Sequence, residues 1–160
     1  MKAATVKELK QELSSKTQKE LVNLCLRLSK FKKENKELLT YLLYESSNES
    51  AYIENVKSEI ENEFYEINKT SYFYIKKSTR KILRNTKKFI RYSGKKETEV
   101  ELLIYFCTEL KKLLPLSEKL TPLQNLLNRQ IEAIKKAIST LHEDLQYDYQ
   151  LELEELEERG

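Results

Sequence analysis

Two glycines and two prolines in 160 residues constrain the fold of this chain more than any other feature of its sequence. Sheets and compact loops need many tight turns, and turns draw heavily on these two residues. Long helices joined by short polar connections need few of them. A content of 39% hydrophobic and 34% charged residues is typical of a folded protein. We therefore expect an all-α, single-domain bundle of six to seven helices packed mainly as antiparallel pairs, with an α-solenoid-like helical stack as the alternative.

Two pairs of residues near the N-terminus have the spacing of a capping box. Thr5 precedes Glu8 by three positions, and Thr17 precedes Glu20 by three positions. In a capping box the hydroxyl and the carboxylate satisfy backbone N–H groups that a helix start leaves free. These pairs predict helices over about 6–14 and 18–31.

The second of these helices is amphipathic, and a third follows it. Asn35 is placed to cap the stretch KELLTYLLYE, which covers residues 36–45. Because apolar residues recur along one face of the second helix, we expect that face to be buried. It comprises Leu21, Leu24, Cys25, Leu28 and Phe31.

Apolar residues at spacings of three and four predict further helices over about 51–67, 71–92 and 97–113. The last of these is apolar over much of its circumference, which indicates the most buried helix, and Pro115 is expected to end it. Thr121 and Pro122 are a favourable start for a long C-terminal helix. If unbroken to residue 158, it would be about 55 Å long and would exceed the expected width of the domain. We therefore expect a helical domain over 1–146 and an acidic helical extension or frayed tail over 147–160.

The net charge of +3 conceals a strong segregation along the chain. Residues 69–96 hold eleven Lys or Arg and no Asp or Glu, whereas residues 40–68 carry a net charge of −6 and residues 143–160 a net charge of −7. On a helical projection the cations of the basic segment lie opposite an arc of apolar residues, with Phe73 on the basic side and Tyr74 at its edge. The candidate polyanion-binding cations are Lys76, Lys77, Arg80, Lys81, Arg84, Lys87, Lys88 and Arg91.

Three interpretations of this basic helix are open. A row of cations can neutralise phosphates of a nucleic acid, and the two aromatic residues can add base stacking. Alternatively, the acidic helix that precedes it, or the acidic tail, neutralises the cations within the protein. Binding to an anionic membrane surface is the least favoured, because the apolar face of the helix would have to be free.

Residue types that carry chemistry are sparse. His142 is the one histidine and has no Cys or His at zinc-ligand spacing, so we expect no metal site and no cofactor. Cys25 and Cys107 lie far apart in apolar runs and are expected to be buried, reduced thiols. Two glycines cannot form a phosphate-binding loop. No apolar signal segment opens the chain, and we expect a cytoplasmic protein that is not an enzyme and has no small-molecule substrate.

The stretch TVKELKQELSSKTQKELVNLCLRL is superficially similar to the short helix-loop-helix of SAP-type DNA-binding modules. It covers about a seventh of the chain and lacks the glycine-bearing loop of those modules. The similarity therefore assigns no family.

The function favoured by the sequence is that of a non-enzymatic helical interaction or scaffold protein. Its long C-terminal helix or an exposed Leu/Tyr face would bind a partner protein or a second copy of the chain. The alternative is nucleic-acid binding through the basic helix at about 71–92.

Overall fold

The computed structural model describes residues 1–114 and 121–159. Within them the chain forms eight α-helices and no strand, which confirms the all-α class and adds one or two helices to the expected number. A five-residue π-helical turn, Tyr41–Glu45, directly follows α3. The helices are α1 Val6–Ser14, α2 Gln18–Phe31, α3 Lys33–Thr40, α4 Glu49–Tyr65, α5 Tyr72–Ser93, α6 Lys96–Leu113, α7 Thr121–Ile138 and α8 Glu143–Glu158.

The chain divides into two compact units, an N-terminal unit of residues 1–44 and a C-terminal unit of residues 45–160. The expected boundary after residue 146 falls within α8. No helix among the described residues combines the length and the apolar character that a membrane crossing requires.

Both expected capping boxes are present in the N-terminal unit. Thr5 and Glu8 cap α1, and Thr17 and Glu20 cap α2, with the hydroxyl and the carboxylate each satisfying a backbone N–H. The expected cap by Asn35 is wrong, because α3 begins at Lys33, three residues before the expected start, and Asn35 lies inside the helix. The Asn35 side-chain amide instead donates to the carbonyl of Leu28, 2.8 Å away, and satisfies an acceptor near the end of α2.

The expected burial of the apolar face of α2 is also wrong. Leu28 is 62% exposed, Phe31 is 76% exposed, and Cys25 and Leu24 are exposed as well. The amphipathic pattern is present in α2, but the helices α1 to α3 bury only Ser29 among their residues. The apolar face therefore forms without a covering layer.

The C-terminal unit has a continuous core centred on α6. This helix packs against α4, α5, α7 and α8, and it contains more buried residues than any other described helix, as its apolar composition predicted. The predicted stripe of α4 is buried, and Phe64 packs against Phe106 of α6 with ring centroids 5.5 Å apart. The stripe consists of Ile53, Val56, Ile60, Phe64 and Ile67.

The prediction of a single long C-terminal helix is wrong. α7 ends at Ile138, and His142 is extended and caps α8 by accepting from the backbone N–H of Asp144 at 3.3 Å. Gln146 donates to the carbonyl of Leu141 at 2.7 Å, which satisfies a group that the break leaves free. The tail is helical to Glu158 and buries Tyr149, Leu153 and Leu156. The expected end of α6 at Pro115 lies outside the described residues.

Candidate polyanion-binding face on helix α5

Helix α5 is held by its apolar side. Thr79, Ile82, Leu83, Thr86 and Ile90 are buried, and the helix packs against α4 and α6. This is the side that the helical projection placed in the core. Because the apolar side is covered, it is not available to a lipid surface.

Polar contacts fix α5 against α4. The Tyr52 hydroxyl of α4 donates to the carbonyl of Phe89 at 2.7 Å, and the Asn85 amide of α5 donates to Oε2 of Glu63 at 3.2 Å. Ser71 caps the first turn of α5, and Gly94 ends the helix in the left-handed conformation, with φ of 69°. The helix is about 33 Å long, and it is anchored at both ends and along its inner side.

The eight cations predicted as a polyanion site lie on the opposite side of α5, and we call them the basic face. Most are exposed and two, Lys76 and Lys88, are half-buried. The structure therefore brings the predicted cations together on one solvent-facing surface. The exposed members are Lys77, Arg80, Lys81, Arg84, Lys87 and Arg91.

Five of these cations have neither an ion pair with a carboxylate nor a contact with an aromatic ring in residues 1–114 and 121–159. Three lysines lie over aromatic rings of the same helix: Lys76 over Tyr72 at 5.6 Å, Lys77 over Phe73 at 6.0 Å and Lys88 over Phe89 at 5.5 Å. Such contacts leave the positive charge in place. The five cations are Arg80, Lys81, Arg84, Lys87 and Arg91.

Several acids expected to neutralise the basic face have other partners. In α4, Glu54 pairs with Lys57 at 3.5 Å. In α8, Glu157 pairs with Lys135 at 3.1 Å, and Glu155 with Arg159 at 3.9 Å. The acidic tail packs on α6 and α7. Internal neutralisation therefore does not account for the five exposed cations within the described part of the chain.

Two exposed aromatic side chains stand at the N-terminal end of the basic face. Phe73 is 61% exposed and Tyr74 is 47% exposed, and their rings meet edge to face with centroids 5.7 Å apart. Successive residues of an α-helix are rotated by about 100°, so Phe73 falls within the arc of the cations and Tyr74 lies at its edge. Aromatic rings and cations thus share one surface.

No group of three side chains that could hold a metal ion occurs in residues 1–114 and 121–159. His142 caps α8 and lies 3.6 Å from Oδ2 of Asp144, which is exposed. Burial raises the pKa of the Cys107 thiol to about 12, so this cysteine is not a nucleophile near neutral pH. Cys25 is exposed, contrary to the expectation of two buried thiols.

The sequence analysis missed an apolar groove in the N-terminal unit. It has a volume of about 220 Å³ and lies between α2 and α3. Two of the residues that line it, Cys25 and Leu28, were expected to be buried, because periodicity identifies an apolar face without showing what covers it. Its lining residues are Cys25, Leu28, Ser29, Asn35, Leu38, Leu39 and Leu42.

Comparisons with known proteins assign no relative to this chain: no protein-family model, curated protein or solved structure matches it.

Proposed function

We propose that this chain is a non-catalytic protein that binds nucleic acid through the basic face of α5, with a preference for single strands. The observation that carries the proposal is the set of exposed cations on this face that have no carboxylate partner among the described residues. Like charges three and four residues apart repel one another on a helix. A polyanion would relieve that repulsion.

The geometry of α5 suits a phosphate backbone. Cations three or four residues apart are separated by about 4.5–6 Å along the helix axis, and Lys77 to Arg91 span about 21 Å. The buried side of α5 keeps this row on a fixed support. Such a row contacts phosphates without reading base edges, so the expected binding is largely independent of sequence and strongly dependent on salt.

The exposed rings of Phe73 and Tyr74 support the preference for single strands. Bases of a single strand can stack on aromatic side chains, and each stacked base contributes about 1–3 kcal/mol. The bases of a duplex are already stacked on one another. Replacement of both rings by alanine should therefore weaken binding of a single strand and leave binding of a duplex nearly unchanged.

Fluorescence anisotropy across a salt series tests the proposal. If five cations contact phosphates of a labelled single strand, the slope of log K against log salt concentration is about −3.5. The triple variant Arg80→Gln/Arg84→Gln/Lys87→Gln should bind more weakly, with a slope of about −1.4.

A matched control removes the same charge elsewhere. Lys7, Arg129 and Lys136 are exposed and lie outside α5, so the triple variant Lys7→Gln/Arg129→Gln/Lys136→Gln lowers the net charge by the same amount. It should retain the wild-type slope. Equal weakening in both triple variants would show that only net charge matters, and absence of binding at low salt would refute the proposal.

A second candidate function is that of a scaffold, as the sequence favoured. The observation in its favour is the exposed apolar surface of the N-terminal unit. Exposed apolar surfaces of this kind typically mark interaction sites in soluble proteins. Concentration-dependent assembly, measured by sedimentation, tests this role without nucleic acid.

A further inference from the structure

The N-terminal unit exposes the apolar side chains that its helices would need to bury. Its helices contain 9, 14 and 8 residues. Helices shorter than about 12–15 residues are marginal in water unless an apolar face is packed. In this unit the apolar faces remain open, which predicts a covering surface. These exposed side chains include Val6, Leu24, Leu28, Phe31, Leu43 and Tyr44.

Leu28 separates two apolar hollows on this unit. One is the groove between α2 and α3, and the other, of about 340 Å³, is lined by Leu24, Arg27, Leu28, Lys30 and Phe31. Arg27 and Lys30 at the second hollow are exposed, and neither has an ion pair with a described carboxylate. The surface around Leu28 therefore combines apolar hollows with free positive charge, and we call it the basic groove.

The outer side of helix α8 combines exposed apolar side chains with negative charge. Tyr149, Leu153 and Leu156 face the core, whereas Tyr147 is 66% exposed and Leu151 is 44% exposed. These two residues are one helical turn apart, and residues at that spacing share a face. The helix contains eight acids and no base. We call the exposed side, with Tyr147, Leu151, Glu154 and Glu158, the acidic ridge.

We propose that the basic groove of one chain binds the acidic ridge of a second copy. The two surfaces match in charge, and each apolar residue of the ridge has a hollow available beside Leu28. An amphipathic helix lying in an apolar groove is a common mode of recognition. If each chain offers its groove to the ridge of the other, two equivalent contacts close a dimer. This inference deepens the scaffold role and is independent of nucleic-acid binding.

Sedimentation equilibrium with charge-reversal variants tests the contact. The wild-type chain should form dimers that weaken as salt increases, because the contact is partly electrostatic. The groove variant Arg27→Glu/Lys30→Glu and the ridge variant Glu154→Lys/Glu158→Lys should each be monomeric. All four positions are exposed, so each variant should retain the wild-type helical circular dichroism.

Mixing the two variants is the sharpest arm of the experiment. One variant has an acidic groove and an acidic ridge, and the other has a basic groove and a basic ridge. An equimolar mixture restores opposite charges at both contacts and should form heterodimers. If the groove bound the ridge of its own chain, mixing the two variants would not restore the contact. Only a single chain with all four substitutions would then restore it, and this result would overturn the proposal.

Cys25 supplies an independent measurement, since it lines the groove. The rate at which a maleimide alkylates Cys25 should fall as the wild-type protein concentration rises through the range of dimerisation. It should stay constant in the groove variant. Wild-type protein that remains monomeric would refute both this contact and self-association, whereas dimers that persist in both variants would refute only this contact and leave the scaffold role standing.

Discussion

The phenolic oxygen of Tyr149 on α8 lies 2.8 Å from Oε1 of Glu101 on α6. It also lies 2.9 Å from Oε1 of Glu97, one turn earlier on the same helix. A phenol has one proton to donate, so the two carboxylates share one donor. At the other end of α8, Lys111 of α6 donates to the carbonyls of Leu156 and Glu157. These contacts fix α8 along α6 and in the same direction, in contrast to the antiparallel pairing expected from the sequence.

Replacement of Tyr149 by phenylalanine should destabilise the C-terminal unit. The substitution keeps the ring in place and removes the donor to Glu97 and Glu101. A hydrogen bond to a charged group contributes about 1.5–3 kcal/mol, and we expect a loss of this size in the free energy of unfolding, measured with urea. Tyr147→Phe is the matched control on the exposed side of α8, and it should change stability by less than about 0.5 kcal/mol. Equal effects of the two substitutions would contradict this role of the hydroxyl.

Stability should also depend on pH through Tyr149. Burial and the hydrogen bonds to Glu101 and Glu97 raise the pKa of its phenol above the ordinary value of 10.0. Below pH 10 the phenol is protonated in both the folded and the unfolded chain, and its contribution is fully present. Above pH 10 it ionises in the unfolded chain first, so that contribution falls as pH rises. The stability difference between wild type and Tyr149→Phe should therefore shrink above pH 10, and a difference that is constant with pH would contradict the assignment.

Local features of the fold could be predicted from the sequence. The capping boxes at Thr5 and Thr17 depend on residues three positions apart, and both are present. The buried stripe of α4 and the left-handed Gly94 follow from similarly short patterns. Patterns formed by residues only a few positions apart can be recognised without knowledge of the tertiary structure.

Features that depend on tertiary contacts could not be predicted. Apolar spacing continues across the break between α7 and α8, because Leu141 and Leu145 keep the helical period. At the break His142 is extended, and the following helix, α8, packs Tyr149 against α6. The prediction for α2 failed for a similar reason. The helix is amphipathic as predicted, but no other element covers its apolar face.

For the basic face of α5, too, the local arrangement could be predicted and the tertiary contacts could not. The sequence placed its cations on one arc, since that arrangement depends only on the helical period. It left open whether acidic side chains neutralise them, since the preceding acidic helix was a candidate partner and the acidic tail a second one. The pairing of Glu157 with Lys135 depends on how α8 packs against α7, which no local pattern records. Glu54 and Lys57 are three residues apart on α4, so their pairing is local.

Substitution of Gly94 by alanine should destabilise the end of α5. Gly94 has φ of +69°, and a Cβ at this position would meet no atom within 4 Å. The penalty is therefore conformational, and a left-handed alanine costs about 1–2 kcal/mol. Gly94→Asn should cost less, because asparagine tolerates this conformation. Urea unfolding measures both, and an alanine variant as stable as wild type would show that the chain avoids the left-handed cap.

The two cysteines should differ sharply in reactivity. Cys25 is exposed, whereas Cys107 is fully buried and its thiol has a pKa of about 12. Only the thiolate reacts, so at pH 8 a disulfide reagent should modify one thiol per folded chain rapidly and the second only after denaturation. Cys25→Ser should abolish the fast phase, and Cys107→Ser should retain it. The measurement should be made with dilute protein, in which the basic groove is open. Rapid reaction of both thiols would show that the core around α6 opens readily.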